Sequence, residues 1–381
     1  MYLSTLNLKD YRNYRQLECE FSPGINMITG ANAQGKTNLI ESIYYLSIGK
    51  AYRLAKDEQL VLWGAKSFQI KAAVENRRGR TNIEIRYHQE EKPAKTISVG
   101  GLRLTKMEEL SGALTSVLFS PDTMAIIKGS PQERRNFLDY DISQVSLNYG
   151  RDTYKYKRLL AQRNALLKKL GSLSLRLEEK KERLLIWDQQ LIECGSRIIK
   201  KRLAVVEKLT PLARLAQRKL TEGKENIELS YILCHKNNKN EDKEKDIDSF
   251  LTGAREECLE EDLRWGSTQW GPHRDDLMIA LDGINLKQYG SQGQQRTAVL
   301  ALKLAELEFF RGESGEYPLL LLDDVMSELD ENRQMQLLNF INEKSIQCLI
   351  TATEARNLNL REKRQNKRFY VDRGKIEEIK L

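Results

Sequence analysis

Short apolar runs alternate with turn residues over the first hundred positions, at residues 3–8, 16–21, 25–29, 68–74, 82–87 and 96–99. This pattern predicts strands of a sheet with antiparallel members, beside a further strand that leads into a helix. The run at 25–29 leads into a helical pattern over 38–46. The period then changes: Leu184, Trp187, Leu191, Ile198, Leu203, Val206 and Leu209 recur at steps of about three, four or seven, with Lys and Arg on the other faces. That spacing predicts an antiparallel helical pair, the first helix over 151–170, a turn at Gly171-Ser172, and the second from 178 until Pro211 kinks or ends it. Beyond it, 227–233 reads as a strand and the polar run 236–248 as a mobile loop. A strong helix over 294–310 and short apolar strands at 319–322 and 347–351 then restore an α/β texture.

The expected plan is an α/β head with a P-loop and mixed sheet, made from residues 1–122 and 263–381, into which an all-helical lobe, 123–262, is inserted. The chain has 381 residues, and no apolar run approaches the ~20 needed to cross a bilayer. Residues 1–10 carry no basic start, apolar stretch or small-residue cleavage site, so a cytoplasmic protein is expected. The five cysteines are scattered and only three histidines are present, which argues against a disulfide framework or a zinc knuckle. Any metal is expected on oxygen ligands.

Charge changes the picture of the helical lobe. Residues 151–224 hold 20 Lys and Arg against 8 Asp and Glu, a surplus of 12 in a chain whose net charge is +8, which leaves the rest at −4. A solvated helix face and a phosphate-binding surface both fit such a segment. The one-sided surplus points to the second, and so to nucleic acid.

The sharpest chemical signal is Gly30-Ala31-Asn32-Ala33-Gln34-Gly35-Lys36-Thr37, which matches G-x-x-x-x-G-K-[ST] between a predicted strand and a helix opening at Asn38. Backbone N–H groups there cradle phosphate, Lys36 reaches the β and γ phosphates, and the Thr37 hydroxyl ligates Mg²⁺. Leu319-Leu320-Leu321-Leu322-Asp323-Asp324 supplies the acidic partner. Asp323 is expected to orient the metal and Asp324 to position the attacking water. A second anion site, Gly290-Ser291-Gln292-Gly293 before a helix, is surplus to a single ATP and suggests a partner's ATP. It resembles the signature motif of ABC-type ATPases, and Ser327-Glu328-Leu329-Asp330 resembles their D-loop.

Further blocks narrow the resemblance. Asp10-Tyr11-Arg12-Asn13-Tyr14, Phe119-Ser120-Pro121-Asp122, Lys128-Gly129-Ser130-Pro131 followed by Arg134-Arg135-Asn136-Phe137-Leu138-Asp139, and Gly271-Pro272-His273-Arg274-Asp275-Asp276 are similar to blocks of the RecF family, in that family's order. The resemblance implies a DNA-repair ATPase of the recombination-mediator pathway. Such a protein dimerises on ATP, hydrolyses it slowly with DNA stimulation, binds double-stranded DNA including single-strand/double-strand junctions, and works with RecR and RecO to load RecA. It also implies roles in replication and the SOS response, and a nucleoid-associated location.

By position, it places Arg12 and Asn13 at the adenine and phosphate edge, with residues 30–38 on the nucleotide. Ser291, Gln292 and Gly293 act on the other subunit's γ phosphate, with Asp330 beside them, and Thr351 to Thr353 replaces the switch histidine. Residues 119–122 stand where a Q-loop belongs, without its glutamine. Two departures are visible. Ala33 stands where Gly is frequent, which matters if that residue takes positive φ. Asp324 is one methylene shorter than the usual Glu, which implies slow hydrolysis.

DNA contact falls either to Arg134 and Arg135, which read equally as caps or pairs within a helix, or to the loop residues Arg53, Lys56, Arg77, Arg78 and Arg80. The alternative function is the head of another SMC-like ATPase, whose arm should be longer than the roughly 75 helical residues here. A transporter subunit, which the same head motifs also allow, is disfavoured by the missing Q-loop glutamine and switch histidine.

Overall fold

The structure, a computed structural model, describes residues 1–51, 56–77, 79–234, 246–353 and 366–379. It divides into two compact units, Met1–Met124 with Lys219–Glu222 and Val299–Leu381, and Ala125–Arg218 with Gly223–Ala298. Residues 263–298, expected with the head, therefore group with the helical unit.

The first unit begins with β1 (Tyr2–Tyr11), β2 (Tyr14–Glu20), β3 (Ile25–Thr29) and α1 (Lys36–Ile48). β4 (Ser67–Asn76), β5 (Gly79–His88), β6 (Lys95–Val99), β7 (Leu102–Arg103) and β8 (Ser116–Phe119) follow. One sheet, in the order β2-β1-β4-β5-β6-β7, is antiparallel throughout. Its core face gathers aromatic rings, Phe68 lying 5.4 Å edge-on to Tyr11 and 5.5 Å stacked on Tyr87.

The second unit opens with α2 (Ala125–Lys128), α3 (Pro131–Val145), α4 (Leu147–Gly171) and α5 (Leu177–Leu220). Ser130 and Glu133 cap α3, with Pro131 at its first position. α5 does not stop at Pro211: the helix runs on to Leu220 with the proline inside it. An interior proline costs about 3 kcal/mol, and burial of Leu209, Ala213 and Ala216 around it offsets that loss. The unit is not purely helical. β9 (Ile227–Ile232), α6 (Ile247–Glu257), α7 (Leu259–Trp265), β10 (Asp276–Leu281), β11 (Ile284–Asn285) and α8 (Leu286–Tyr289) follow, and β11-β10-β9 form an antiparallel sheet. Residues 235–245 of the expected mobile loop lie outside the described residues, and Ile247 opens α6.

α9 (Gln292–Ser314) leads the chain back into the first unit, where β12 (Leu319–Asp323), α10 (Glu331–Lys344), β13 (Cys348–Ala352), β14 (Lys367–Asp372) and β15 (Lys375–Ile379) complete it. The second sheet there runs β15-β14-β3-β13-β12-β8. Its five strands from β14 to β8 are parallel, and β15 returns antiparallel. β3 and β12 are buried at every position, as parallel strands covered on both faces must be, hence their uninterrupted apolar sequence. α1 packs on β12, β13 and β8 of this sheet and on β5 of the other.

Candidate nucleotide-binding site

The parallel register sets the carboxyl ends of β3, β13 and β12 side by side, with Thr351 opposite both Ile28 and Asp323. Ligands of open α/β sheets bind at strand ends of this kind. After β3 the loop 30–35 turns sharply, with φ of 151° at Gly30, 65° at Ala33 and 122° at Gly35. The φ of Gly35 is one that L side chains rarely adopt, and a Cβ there would lie 2.5 Å from the side-chain Nδ2 of Asn13, so the position favours glycine. Tyr14 donates its buried hydroxyl to the Gly35 carbonyl at 3.0 Å, and burial pushes that phenol's pKa up. Asn13 donates to the Gln34 carbonyl and accepts from Asn38, both at 2.8 Å. Lys36 is buried, with Nζ donating to the carbonyls of Gly30 (2.8 Å) and Ala31 (3.0 Å).

Ala33 is exposed at a φ that costs an L-residue about 1–2 kcal/mol. Ala33→Gly is therefore expected to raise the unfolding free energy by about 0.5 kcal/mol, after the glycine's added unfolded-state entropy. Denaturant titration checks the sign, because the same change at an ordinary φ lowers stability.

Asp323, at the end of β12, is buried, and one of its oxygens gathers two hydroxyls: Thr37 donates at 3.1 Å and Thr351 at 2.8 Å. The Thr351 hydroxyl in turn accepts the Asp324 N–H at 2.9 Å. Asp324 takes φ 54° and starts a short 3-10 turn, Val325–Glu328. P-loop threonine, strand aspartate and the threonine of the neighbouring strand thus form one hydrogen-bonded line. Thr37 and Asp323 present hard oxygen donors at hydrogen-bonding separation, the donor type that suits Mg²⁺. Among the described residues no three His, Cys, Asp or Glu side chains cluster into a separate metal site.

Other expected residues fall elsewhere. Arg12 forks onto the buried carboxylate of Glu41 in α1 at 2.9 and 3.0 Å and donates to the Gln59 carbonyl at 3.0 Å, so its guanidinium is committed beside the loop. Asp330 caps α10, accepting the Arg333 N–H at 2.9 Å. In the second unit, Ser291, Gln292 and Gly293 are exposed at the start of α9, where Ser291 and Gln294 cap each other at 3.0 and 3.2 Å.

The arginines suggested for DNA separate as well. Arg134 is buried and forks onto Asp276 at 2.7 and 2.8 Å. Arg135 donates to the Asp275 carbonyl at 2.6 Å and to Gln132 at 3.1 Å, and burial, then the neighbouring Arg202, lowers its pKa. Of the two readings of this pair, the intramolecular one describes Arg134. Lys56, Arg77 and Arg80 are exposed; Arg53 and Arg78 lie outside the described residues.

The Gly271-to-Asp276 block proves to be internal wiring: Asp275 accepts from Tyr231 and the Cys234 N–H, and His273 sits between the Tyr156 hydroxyl and the Thr268 carbonyl. Burial depresses the His273 pKa to about 4, which keeps the ring neutral.

Comparison with known proteins agrees with this geometry. The family described as RecF/RecN/SMC N terminal domain matches residues 2–377. "DNA replication and repair protein RecF" of Alkaliphilus oremlandii is 42% identical over 377 residues, covering 99% of this chain and 100% of that protein. Its namesake in Clostridium tetani is 41% identical over 377 residues, with 98% and 99% covered. The chain belongs to the RecF family.

A solved structure of the recombination mediator protein RecF with ATP, described in the RecFOR pathway, superposes on this RecF-family chain with a TM-score of 0.90 at 35% identity, covering 100% of this chain and 98% of that one. The Smc head domain of Pyrococcus furiosus reaches a TM-score of 0.57 at 19% identity, with 100% and 96% covered, and shares the fold alone. The fold is that of an ABC-type ATPase head.

Sequence reading missed Glu41, which holds Arg12 beside the P-loop, and the 373–374 turn, which is bonded to Gln34 of the loop itself. Only the turn had a signal, Asp372-Arg373-Gly374-Lys375 between apolar alternations.

Proposed function

We propose that the chain is an ATP-switched, dimerising DNA-binding protein of repair and recombination, acting at gaps and stalled replication forks. ATP is held by residues 30–38 with Mg²⁺ on Thr37 and Asp323, and a second copy presents Ser291, Gln292 and Gly293 to the γ phosphate. The metal supplies charge neutralisation at the β and γ phosphates. Lys36 holds the phosphate chain, Thr351 fixes the rotamer of Asp323, and Asp324 orients water for a slow, DNA-stimulated hydrolysis. The carrying observation is the hydrogen-bonded line from Thr37 through Asp323 and Thr351 to Asp324.

Duplex DNA, including single-strand/double-strand junctions, is the acidic partner that suits the basic segment 151–224. Because Arg163 and Arg202 of that segment are buried, phosphate contact falls to its exposed cations, Lys155, Lys157 and Arg158 among them, and to Lys56, Arg77 and Arg80. RecR, RecO and, through them, RecA are the partners expected from the family, in a cytoplasmic, nucleoid-associated setting.

Sedimentation velocity with Mg²⁺ and either ADP or ATP tests the switch. ATP is expected to convert monomer to dimer, and Ser291→Arg to stay monomeric while binding ATP normally. An oligomeric state indifferent to nucleotide removes the shared site from the reading.

A further inference from the structure

The last hairpin of the chain is joined to the P-loop in a way the ATPase motifs do not account for. β14 and β15 pair from Asp372 and Lys375 outward, so the connection is the two residues Arg373 and Gly374, with φ of 44° and 75°. Two positive φ values in a two-residue connection make a type I′ turn, whose first position favours Asn, Asp or Gly. Arginine there carries the strain of a left-handed backbone, which its Cβ disfavours. Strain of this kind persists where the surroundings over-determine it, and it gathers at functional sites. Ala33 in the P-loop and Asp324 after β12 are strained in the same sense.

The surroundings do over-determine this turn. The Arg373 N–H donates to the Gln34 side-chain oxygen at 2.7 Å, and the Gly374 N–H to the Gln34 carbonyl at 3.2 Å. A Cβ on Gly374 would stand 2.4 Å from the Asn13 carbonyl oxygen, so the backbone closes directly on Asn13. Asn13 is itself bonded to Gln34 and Asn38. Residue 34 precedes Gly35-Lys36, so the turn is fastened to the segment that faces phosphate. The Arg373 side chain, meanwhile, is exposed and makes no hydrogen bond or ion pair among the described residues.

We propose that Arg373 binds the nucleotide, its guanidinium taking the anionic phosphate chain of the ATP held by residues 30–38; this rests on the ATP-binding function proposed above. The charge arithmetic favours it. Lys36 is the single basic side chain of residues 30–38, and Asp323 and Asp324 add negative charge at the end of β12, two strands along the sheet from β3. Lys36 and one Mg²⁺ therefore leave the triphosphate under-neutralised, and a guanidinium fork is the side chain best matched to phosphate oxygens.

The test sets binding against stability in the full chain, with isothermal titration of ATP and Mg²⁺ beside a thermal midpoint. Arg373→Gly relieves the positive φ, so its midpoint is expected to hold or rise while its ATP dissociation constant weakens about tenfold. Arg373→Ala is expected to lose the same affinity, and Arg373→Lys to keep part of it. Glycine and alanine variants that bind ATP as tightly as the wild type overturn the proposal, as does affinity that falls only together with the midpoint. A wild-type chain that binds no ATP overturns the ATPase reading and this one with it.

Discussion

Asp323→Asn is expected to cut ATP hydrolysis by about 10²- to 10³-fold, the scale seen when one electrostatic contact to a reacting phosphate or oxyanion is removed. The substitution is chosen for what it retains. Asparagine keeps the oxygen that accepts from Thr37 and Thr351 at 3.1 and 2.8 Å, so the line joining the P-loop to β12 and β13 can stand. What it loses is the negative charge proposed above to hold the metal. The expected result is a folded chain whose thermal midpoint moves little and whose steady-state phosphate release collapses. A coupled release assay with Mg²⁺ and duplex DNA reads the rate, and circular dichroism reads the midpoint. Thr351→Val separates the contributions: it deletes the donor to Asp323 and leaves the charge, so a smaller loss is expected. Hydrolysis unchanged in Asp323→Asn would remove Asp323 from the metal-binding role.

The P-loop and its acidic partner were legible because their chemistry is local. Gly30 to Thr37 is one contiguous motif, and the all-apolar run ending in Asp323 declares a strand buried on both faces. The threonine that joins them, Thr351, was visible only as a substitute for a histidine. Its role depends on β13 lying between β3 and β12, a strand order that no local pattern states. Arg12 and Arg134 show the converse. The family resemblance put Arg12 at the nucleotide and offered Arg134 to DNA phosphate, yet each is taken up by a carboxylate distant in sequence, Glu41 and Asp276. Spacing within the chain does not announce such pairs. The continuation of α5 through Pro211 was illegible for a related reason, since propensity reports the proline's cost and tertiary burial decides the outcome.

Arg163 carries that lesson to its largest stability effect. It belongs to the segment whose surplus charge suggested DNA, but it is fully buried, donating to Asp188 of α5 and to Asp262 of α7, both at 2.6 Å, and to Thr268 at 2.9 Å. The Trp270 ring lies 5.2 Å from its guanidinium, and Trp270 donates its indole N–H to Asp262 at 3.1 Å. Burial raises the pKa of both carboxyls even with the arginine beside them. Arg163→Leu leaves two buried carboxylates without their cation, and a loss of about 3–5 kcal/mol is expected, the cost of breaking a buried pair from one side. An exposed neighbour on α4, Lys157→Ala, should change stability by less than about 0.5 kcal/mol.

The sign of the pH dependence follows from linkage. Carboxyls whose folded pKa exceeds the unfolded value bind more protons in the folded state, so their stability penalty grows as pH rises through the folded value. Removing the arginine raises those folded values further, so the variant should recover part of its loss as pH falls from neutrality toward 5. Denaturant titrations at the two pH values, with a filter-binding assay for duplex DNA alongside, test both halves. A variant as stable as the wild type that no longer holds DNA would return Arg163 to the phosphate surface; an unstable one that still binds DNA when folded keeps it in the core.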